Sequence, residues 1–296
     1  MMQAGWSGIL GRVAMGLVLG YALMLVILFV LQRRLMYFPD TSSPGPVSSL
    51  FPGASELASR TDDGISLVHW YHPPADDEKP VVVFFHGNAG NKADRVFKAA
   101  AFTGAGLGVL LVEYRGYGGS AGKPTEEGLY ADARSALAAL AGQDIGLERM
   151  VFYGESIGTG VAVEMAAEFA PAALILEAPL ASSAGVAMER FPLVFASLLM
   201  KDKYDNLAKI PLIASPVMII HGDADDTVSI WNGLRLFNAA TGPKKALFVP
   251  GAGHNDLFAF GVDRDILSFI ALNMGRRRAQ DELRMEDEED EYAPIP

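Results

Sequence analysis

A serine in a glycine-rich pentapeptide is the first candidate for chemistry in this 296-residue chain. Ser156 is the centre of GESIG at residues 154–158, which has the pattern Gly-x-Ser-x-Gly. The apolar run MVFY precedes it and an alanine-rich helical stretch follows, so the serine falls at a strand-to-helix turn. A turn this tight leaves no space for side chains two positions before and after the serine. The pattern predicts a nucleophilic hydroxyl, with a helix N-terminus directed at a developing oxyanion.

A histidine near the carboxyl end is the candidate general base. In folds with this kind of serine turn, the acid and then the histidine follow the serine along the chain. Of five histidines, only His221 and His254 come after Ser156, and only His254 comes after the acidic loop 223–226. His254 ends the glycine-rich segment PGAGH, which follows the last apolar run. A mobile imidazole there could reach the serine.

The acidic partner of this histidine lies in the loop after the run VMII. Asp223, Asp225 and Asp226 share that loop, and their spacing does not choose among them. Asp256 is too close to His254 in sequence to be preferred. The residue pattern therefore predicts a Ser-His-Asp set with three possible acids.

A second glycine-rich loop, HGNAGN at residues 86–91, follows the apolar run VVVFF. The backbone N–H groups of Asn88 and Ile157 are predicted to form a two-donor oxyanion hole. His86 is expected to hold this loop by hydrogen bonds, with no direct part in chemistry. A third loop, RGYGGS at residues 115–120, is expected to shape the wall of the site.

The elements that must position these loops alternate regularly along the chain. Continuously apolar runs near residues 81–85, 108–114, 150–154, 173–178, 217–220 and 246–249 are typical of parallel strands covered on both faces. Amphipathic helical stretches lie between them, near residues 126–140, 157–169, 230–240 and 256–273. The run ISLVHWYH at 65–72 alternates instead, which favours an outer antiparallel strand. The pattern predicts an α/β fold with a mostly parallel, doubly wound sheet and its active site at the carboxyl ends of the strands.

A membrane anchor is predicted at the N-terminus. Residues 13–31 are uncharged and would span about 28 Å as a helix, close to the hydrocarbon thickness of a bilayer. Arg12 and the pair Arg33–Arg34 flank the run, and Trp6 and Tyr37 occupy the positions of interfacial aromatic residues. A cleaved signal peptide and a buried core helix are the alternatives. The run is too long for the first and lacks the polar side expected of the second, so an uncleaved single-pass anchor in the cell membrane is preferred.

Composition and charge bound the rest of the chain. Three segments are expected: an anchor at 1–36, one domain at 37–275 and an acidic disordered tail at 276–296. Residues 279–296 of this tail carry −7 of the total net charge of −11. Four prolines and several serines predict a stalk or irregular entry loop at 39–53. The absence of cysteine excludes thiol catalysis and cysteine-bound metals. No basic face for nucleic acid is present.

Five motifs, taken in order, carry a family resemblance. FFHGNAGN, EYRGYGGS, GESIGTG, HGDADDTV and GAGHND resemble the α/β-hydrolase superfamily over about residues 35–273. The sequence is most similar to the membrane-anchored bud-emergence-like branch, related to α/β-hydrolase domain-containing proteins 13 and 17. The resemblance implies an α/β-hydrolase fold, with Ser156 as nucleophile, His254 as base and Asp225 as the acid. It also matches the oxyanion donors to Asn88 and Ile157, and its known members include thioesterases that remove acyl chains from proteins.

The expected activity is therefore hydrolysis of a carboxylic ester or thioester, without metal or organic cofactor. A short helical cap at about 180–215 contains many apolar residues. It would form either an acyl pocket near the bilayer or a helix that only packs on the sheet. The first possibility favours a lipid-like or acylated substrate. A peptidase of the same fold, with Glu189 binding a free amine, and a scaffold without turnover remain alternatives.

Overall fold

The computed structural model describes residues 3–275, with side-chain environments from residue 8 onward. The predicted acidic tail at 276–296 lies outside the described residues. Residues 3–275 contain ten strands: β1 (Phe38–Pro39), β2 (Ser55–Arg60), β3 (Ser66–His72), β4 (Val81–Phe85), β5 (Ala89–Gly90), β6 (Gly108–Leu111), β7 (Met150–Glu155), β8 (Ala173–Glu177), β9 (Val217–Gly222) and β10 (Lys244–Val249). Nine helices have complete bounds: α1 (Gln3–Met36), α2 (Val47–Leu50), α3 (Val96–Gly104), α4 (Glu126–Ala141), α5 (Gly158–Phe169), α6 (Ser183–Arg190), α7 (Ala196–Leu199), α8 (Asn206–Lys209) and α9 (Ile230–Ala239). A further helix, α10, covers residues 262–275.

Eight of the strands form one sheet in the order β10-β9-β8-β7-β4-β6-β3-β2. The six strands from β10 to β6 are parallel, and β3 and β2 are antiparallel additions at one edge. This confirms the predicted mostly parallel sheet and the antiparallel assignment of residues 65–72. Strand β2 lies outside β3, so β3 is the second strand from the edge.

Helices cover both faces of the sheet, as the continuously apolar strands require. Every residue of β4, β6, β7, β8 and β9 is buried. Helices α4, α5 and α9 pack on one face, and α3 and α10 on the other. Helix α4 shows why these stretches become helices: Thr125 caps its N-terminus through the N–H of Gly128, and an apolar stripe from Leu129 to Leu140 faces the core.

The segment predicted as a stalk or entry loop packs on the domain. Strand β1 pairs in parallel with β5, the short helix α2 lies within residues 39–53, and Phe51 is buried. Tyr37, expected at a membrane interface, is also buried, and its hydroxyl lies 2.8 Å from that of Tyr204. That expectation was wrong, because the chain enters the domain core directly as α1 ends.

Helix α1 is continuous over 34 residues. The part at residues 8–36 is long and apolar enough to cross a membrane, and none of its most apolar window is buried in the described structure. Its carboxyl-terminal half lies beside the predicted cap, which folds as α6, a 3₁₀ turn at Pro192–Val194 and the short helices α7 and α8. The Arg33 guanidinium forms two hydrogen bonds to the Asp202 carboxylate, at 2.7 and 2.9 Å.

Candidate active site

Ser156 lies at a sharp turn between β7 and α5. Its φ is +53°, a left-handed conformation that non-glycine residues rarely adopt. A Cβ at Gly158 would lie 2.1 Å from the carbonyl oxygen of Phe85, and one at Gly154 would lie 2.6 Å from Cα of Thr159. The two glycines of the motif are therefore required by close backbone approach, on the neighbouring strand in one case and within the turn in the other.

Three side chains from three loops meet at this turn. His254 Nε2 lies 2.9 Å from Ser156 Oγ, and His254 Nδ1 lies 2.7 Å from Asp225 Oδ2. Ser156 and His254 are partly buried, whereas the Asp225 side chain is fully buried. An ionised carboxylate at Nδ1 favours the tautomer in which Nδ1 carries the proton. Nε2 can then accept a proton from the serine hydroxyl.

The structure distinguishes the three aspartates that spacing left open. Only Asp225 contacts His254. Asp223 accepts the backbone N–H of Gly251 at 2.6 Å, and Asp226 is exposed. Asp225 also accepts the backbone N–H groups of Thr227 and Val228, both at 2.8 Å.

His221 is a buried neighbour of this carboxylate that the sequence did not single out as a partner. Its Nε2 lies 3.2 Å from Asp225 Oδ2 and 2.8 Å from the carbonyl oxygen of Val228. Burial by itself would raise the pKa of Asp225, but hydrogen bonds from His221 and His254 outweigh it and hold that pKa well below its usual range. The carboxylate therefore stays ionised next to His254 at neutral pH.

The loop of Asn88 is fixed on three sides. The Asn88 side-chain amide donates to the carbonyl oxygen of Met36 at 2.8 Å. The backbone carbonyl oxygen of Asn88 accepts hydrogen bonds from the Phe38 N–H at 2.9 Å and from the Tyr117 hydroxyl at 2.8 Å. Tyr117 therefore supports the Asn88 loop. It belongs to residues 115–120, the segment expected to form the wall of the site.

The two predicted oxyanion donors differ in their placement. Ile157 is the N-cap residue of α5, where backbone N–H groups carry partial positive charge. Asn88 follows β4, the strand next to β7. Within residues 3–275, neither backbone N–H has a hydrogen-bond acceptor, which leaves both available to a ligand.

A buried ionic cluster lies directly behind the serine turn. Lys98 Nζ bridges Glu155 Oε2 and Glu177 Oε1, at 2.7 Å each, and Arg95 reaches Glu155 Oε1 at 2.6 Å. The Glu177 carbonyl oxygen accepts the N–H of Ser156 at 2.9 Å. Arg95 also donates to the carbonyl oxygen of Ala89 at 3.1 Å, so one guanidinium joins the serine turn to the Asn88 loop. Sequence reasoning missed this cluster, since it forms between strands and a helix far apart in the chain.

The other residues considered from the sequence have structural contacts. His86 Nδ1 lies 2.8 Å from the carbonyl oxygen of Gly87, in line with the expected role in holding the loop. Arg115 is bonded to Asp63 and Asp132, so its guanidinium is already occupied.

The cap borders the loop that carries Asp225, and Arg190 donates to the carbonyl oxygen of Asp226 at 2.7 Å. A cavity of about 240 Å³ lies between α6 and the loop of Asp225, and its lining includes Val186, Glu189 and Arg190. The Glu189 carboxylate accepts from the side-chain amide of Asn232 at 3.2 Å. Among the described residues, no group of three or more His, Cys, Asp or Glu is arranged to hold a metal ion.

Residues 76–206 match the family model for serine aminopeptidase, S33. The chain is 42% identical to Mycobacterium tuberculosis protein Rv2307c over 235 residues, which cover 78% of this chain and 84% of that protein. It is 38% identical to human alpha/beta hydrolase domain-containing protein 17B over 208 residues, covering 69% of this chain and 70% of the relative.

Solved structures with the same fold include two enzymes named as esterases. The Pyrococcus furiosus esterase PF2001 superposes with a TM-score of 0.64 at 18% identity, covering 81% of this chain and 98% of that one. An acetyl xylan esterase from Paenibacillus sp. R4 gives a TM-score of 0.60 at 19% identity, and the match covers 73% of this chain and 83% of the esterase. At these identities the likeness establishes the fold.

Proposed function

Since this chain belongs to the α/β-hydrolase family, we propose that it is a membrane-anchored serine hydrolase of carboxylic esters or thioesters. The observation that carries the proposal is the continuous hydrogen-bond path from Ser156 through His254 to Asp225. In this order of groups, the serine is the nucleophile, the imidazole the general base and the carboxylate the group that orients it.

The proposed reaction is acyl transfer to water in two halves. His254 Nε2 takes the proton of Ser156 as Oγ attacks the carbonyl carbon, and the N–H groups of Asn88 and Ile157 stabilise the oxyanion. His254 then gives its proton to the leaving alcohol or thiol, and the acyl group stays on Ser156. In the second half His254 accepts a proton from water as the water attacks the acyl-enzyme, and it gives that proton to Ser156 Oγ as the acid is released. Each half returns the histidine to its starting state.

The substrate proposal comes from the surroundings of the serine. Helix α1 is apolar enough for a membrane span, and its end is bonded to Asn88. The cap beside it is rich in apolar side chains. These features favour a lipid-like or acylated substrate over a small polar ester.

Turnover of matched substrates tests the proposal. Purified full-length protein in detergent should hydrolyse an ester series and a thioester series, and Ser156→Ala should abolish release at equal protein concentration. The variant is nearly isosteric, and Ser156 is in partial contact with solvent, so the fold should be retained. Wild-type hydrolysis that persists in Ser156→Ala would contradict the assignment.

A peptidase is the second candidate, because the matching family model is named for serine aminopeptidases and Glu189 lines the cavity beside Asp225. Its signature would be release of N-terminal amino acids from short peptides, with that activity lost in Glu189→Gln. Ester turnover that survives Glu189→Gln would favour the first candidate.

A further inference from the structure

The cap and helix α1 are joined along a considerable length. At one end Arg33 holds Asp202, and one residue earlier the Gln32 side chain accepts the N–H of Lys201 at 2.7 Å. At the other end the hydroxyl of Tyr21 donates to the carbonyl oxygen of Leu193. Tyr21 and Arg33 are twelve residues apart, which is about 18 Å along a helix. The cap therefore lies along α1 for more than three helical turns, from Arg33 near the domain to Tyr21 farther from it.

The surface that the cap shows on this side is strongly apolar. Between Arg190 and Lys201 no residue is charged. Four large side chains of this stretch project outward, with exposed fractions of 59% for Phe191, 72% for Leu193, 55% for Phe195 and 81% for Leu198. Soluble proteins rarely leave such a contiguous patch in water. We call residues 191–200 the cap tip.

Part of the backbone of the cap tip is hydrogen-bonded within the protein. The N–H groups of Phe191, Val194, Leu198, Leu199 and Met200 all donate to carbonyl oxygens one turn earlier. The carbonyl oxygen of Leu193 is bonded to Tyr21, whose hydroxyl is the one polar side-chain group of residues 13–31. In lipid, backbone polar groups have to be satisfied internally, and these contacts satisfy five of the nine backbone N–H groups of residues 191–200.

The position of Tyr21 sets the depth of the cap tip. Residues 13–31 are the uncharged apolar run of α1 between Arg12 and Gln32, and these 19 residues span about 28 Å, close to the thickness of the hydrocarbon core. Tyr21 is ten residues before Leu31, so it lies about 15 Å inside the end of the apolar run at Leu31. A bilayer that contains this span therefore also surrounds the cap tip bonded to Tyr21.

We propose that the cap tip is embedded in one membrane leaflet, where its outward side chains contact lipid acyl chains. The charged residues Arg190 and Lys201 mark the level at which the cap leaves the hydrocarbon, and the Lys201 ammonium lies 4.4 Å from the ring centroid of Phe29. Met36, the last residue of α1, is bonded to Asn88, so the candidate site lies at the membrane surface. An acyl chain can then reach Ser156 laterally from the leaflet. The embedding rests on α1 spanning the membrane, and the lateral route rests on the proposed hydrolase function.

The absence of cysteine makes a depth measurement direct. Leu198→Cys carries a nitroxide at the cap tip, and Gln143→Cys carries one at an exposed loop position before β7, at the opposite end of the parallel strands. In phosphatidylcholine vesicles containing the full chain, the Leu198 label should be relaxed by oxygen and shielded from an aqueous nickel chelate. The Gln143 label should respond in the opposite way. Equal access of the chelate to both labels would overturn the proposal.

A second copy of the chain could shield the same surface, and the experiment identifies that case. Spin–spin broadening of the Leu198 label that disappears on dilution with unlabelled protein would show a protein partner and overturn the lipid assignment. Neither readout requires enzymatic activity, so failure of the embedding is distinguishable from failure of the hydrolase function.

Turnover tests the lateral route separately. Leu198→Asp should reduce hydrolysis of a long-chain ester held in vesicles by roughly tenfold, because a carboxylate resists burial in lipid. Hydrolysis of a short water-soluble ester should be unchanged, since Leu198 is outside the site. Gln143→Asp is the matched control and should alter neither rate. Unchanged turnover of the vesicle substrate by Leu198→Asp would overturn lateral entry.

Discussion

The side-chain amide of Asn88 donates a hydrogen bond of 2.8 Å to the carbonyl oxygen of Met36. This bond joins the end of the long apolar helix to the loop whose backbone N–H is proposed to hold the oxyanion. The last carbonyl groups of a helix need partners outside it, and here the partner is a residue of the candidate site. The position of the helix and the shape of the site are therefore connected through one side chain.

Removal of this bond should weaken turnover without abolishing it. Asn88→Ala keeps the backbone N–H but loses the contact with Met36, so the loop is less well fixed. A hydrogen bond contributes about 1 kcal/mol, which corresponds to roughly a five- to tenfold lower kcat on a soluble ester. Asn88→Asp has the same shape and cannot donate, so it should lose at least as much. Wild-type kcat in both variants would contradict this role.

Asp225 should be far more sensitive than its neighbours. Asp225→Asn removes the charge that orients His254, and loss of the corresponding carboxylate in serine proteases lowers kcat by about 10⁴-fold. Asp223→Asn and Asp226→Asn are matched controls in the same loop. The asparagine oxygen can still accept the Gly251 N–H at position 223, so both controls should stay within about threefold of wild type. A loss at position 223 or 226 that equals the loss at 225 would refute the assignment.

The cluster behind the serine turn should be essential for stability. Lys98→Met leaves the carboxylates of Glu155 and Glu177 buried with one fewer cation, and breaking a buried ion pair costs about 3–5 kcal/mol. Thermal unfolding in detergent should show a large decrease in Tm. Lys79→Met, at an exposed position, provides the control and should change Tm little. A variant of Lys98 as stable as the control would show that the cluster does not hold the turn.

The same cluster predicts a pH dependence of stability. Burial alone would raise the pKa of Glu155, but Lys98 and Arg95 outweigh it and lower that pKa below its usual 4.5. Because the folded-state pKa is depressed, the stabilisation is fully present above pH 4.5 and is lost as the pH falls toward the folded-state pKa. Glu155→Gln lacks this titration. The difference in unfolding free energy between wild type and Glu155→Gln should therefore shrink between about pH 6 and about pH 3, and a constant difference would contradict the prediction.

The fold was predictable because its signals are local. Continuously apolar runs such as VVVFF and MVFY predicted buried parallel strands, and the glycines around Ser156 predicted the tight turn. Chain order also narrowed the base to His254, which the structure places 2.9 Å from the serine. The spacing of the three aspartates was insufficient to identify the partner of His254, because their carboxylates point in different directions once the loop folds.

The missed features depend on contacts between distant segments. Tyr37 follows a membrane-like run, and only the tertiary structure shows its hydroxyl beside that of Tyr204. The sequence shows that the cap is apolar but does not show which element the cap packs against. Its contact with α1 at Tyr21 could not be inferred from periodicity. Arg95 likewise joins two loops through side-chain bonds that no local pattern encodes.

Covalent labelling of Ser156 tests the central claim most directly. A fluorophosphonate reacts with a serine that an adjacent base has activated, and peptide mass analysis locates the adduct. The account predicts an adduct on Ser156 in the full-length wild type and none in Ser156→Ala, with labelling strongly slowed in His254→Ala. A folded wild type that stays unlabelled, or an adduct on another serine, would contradict it.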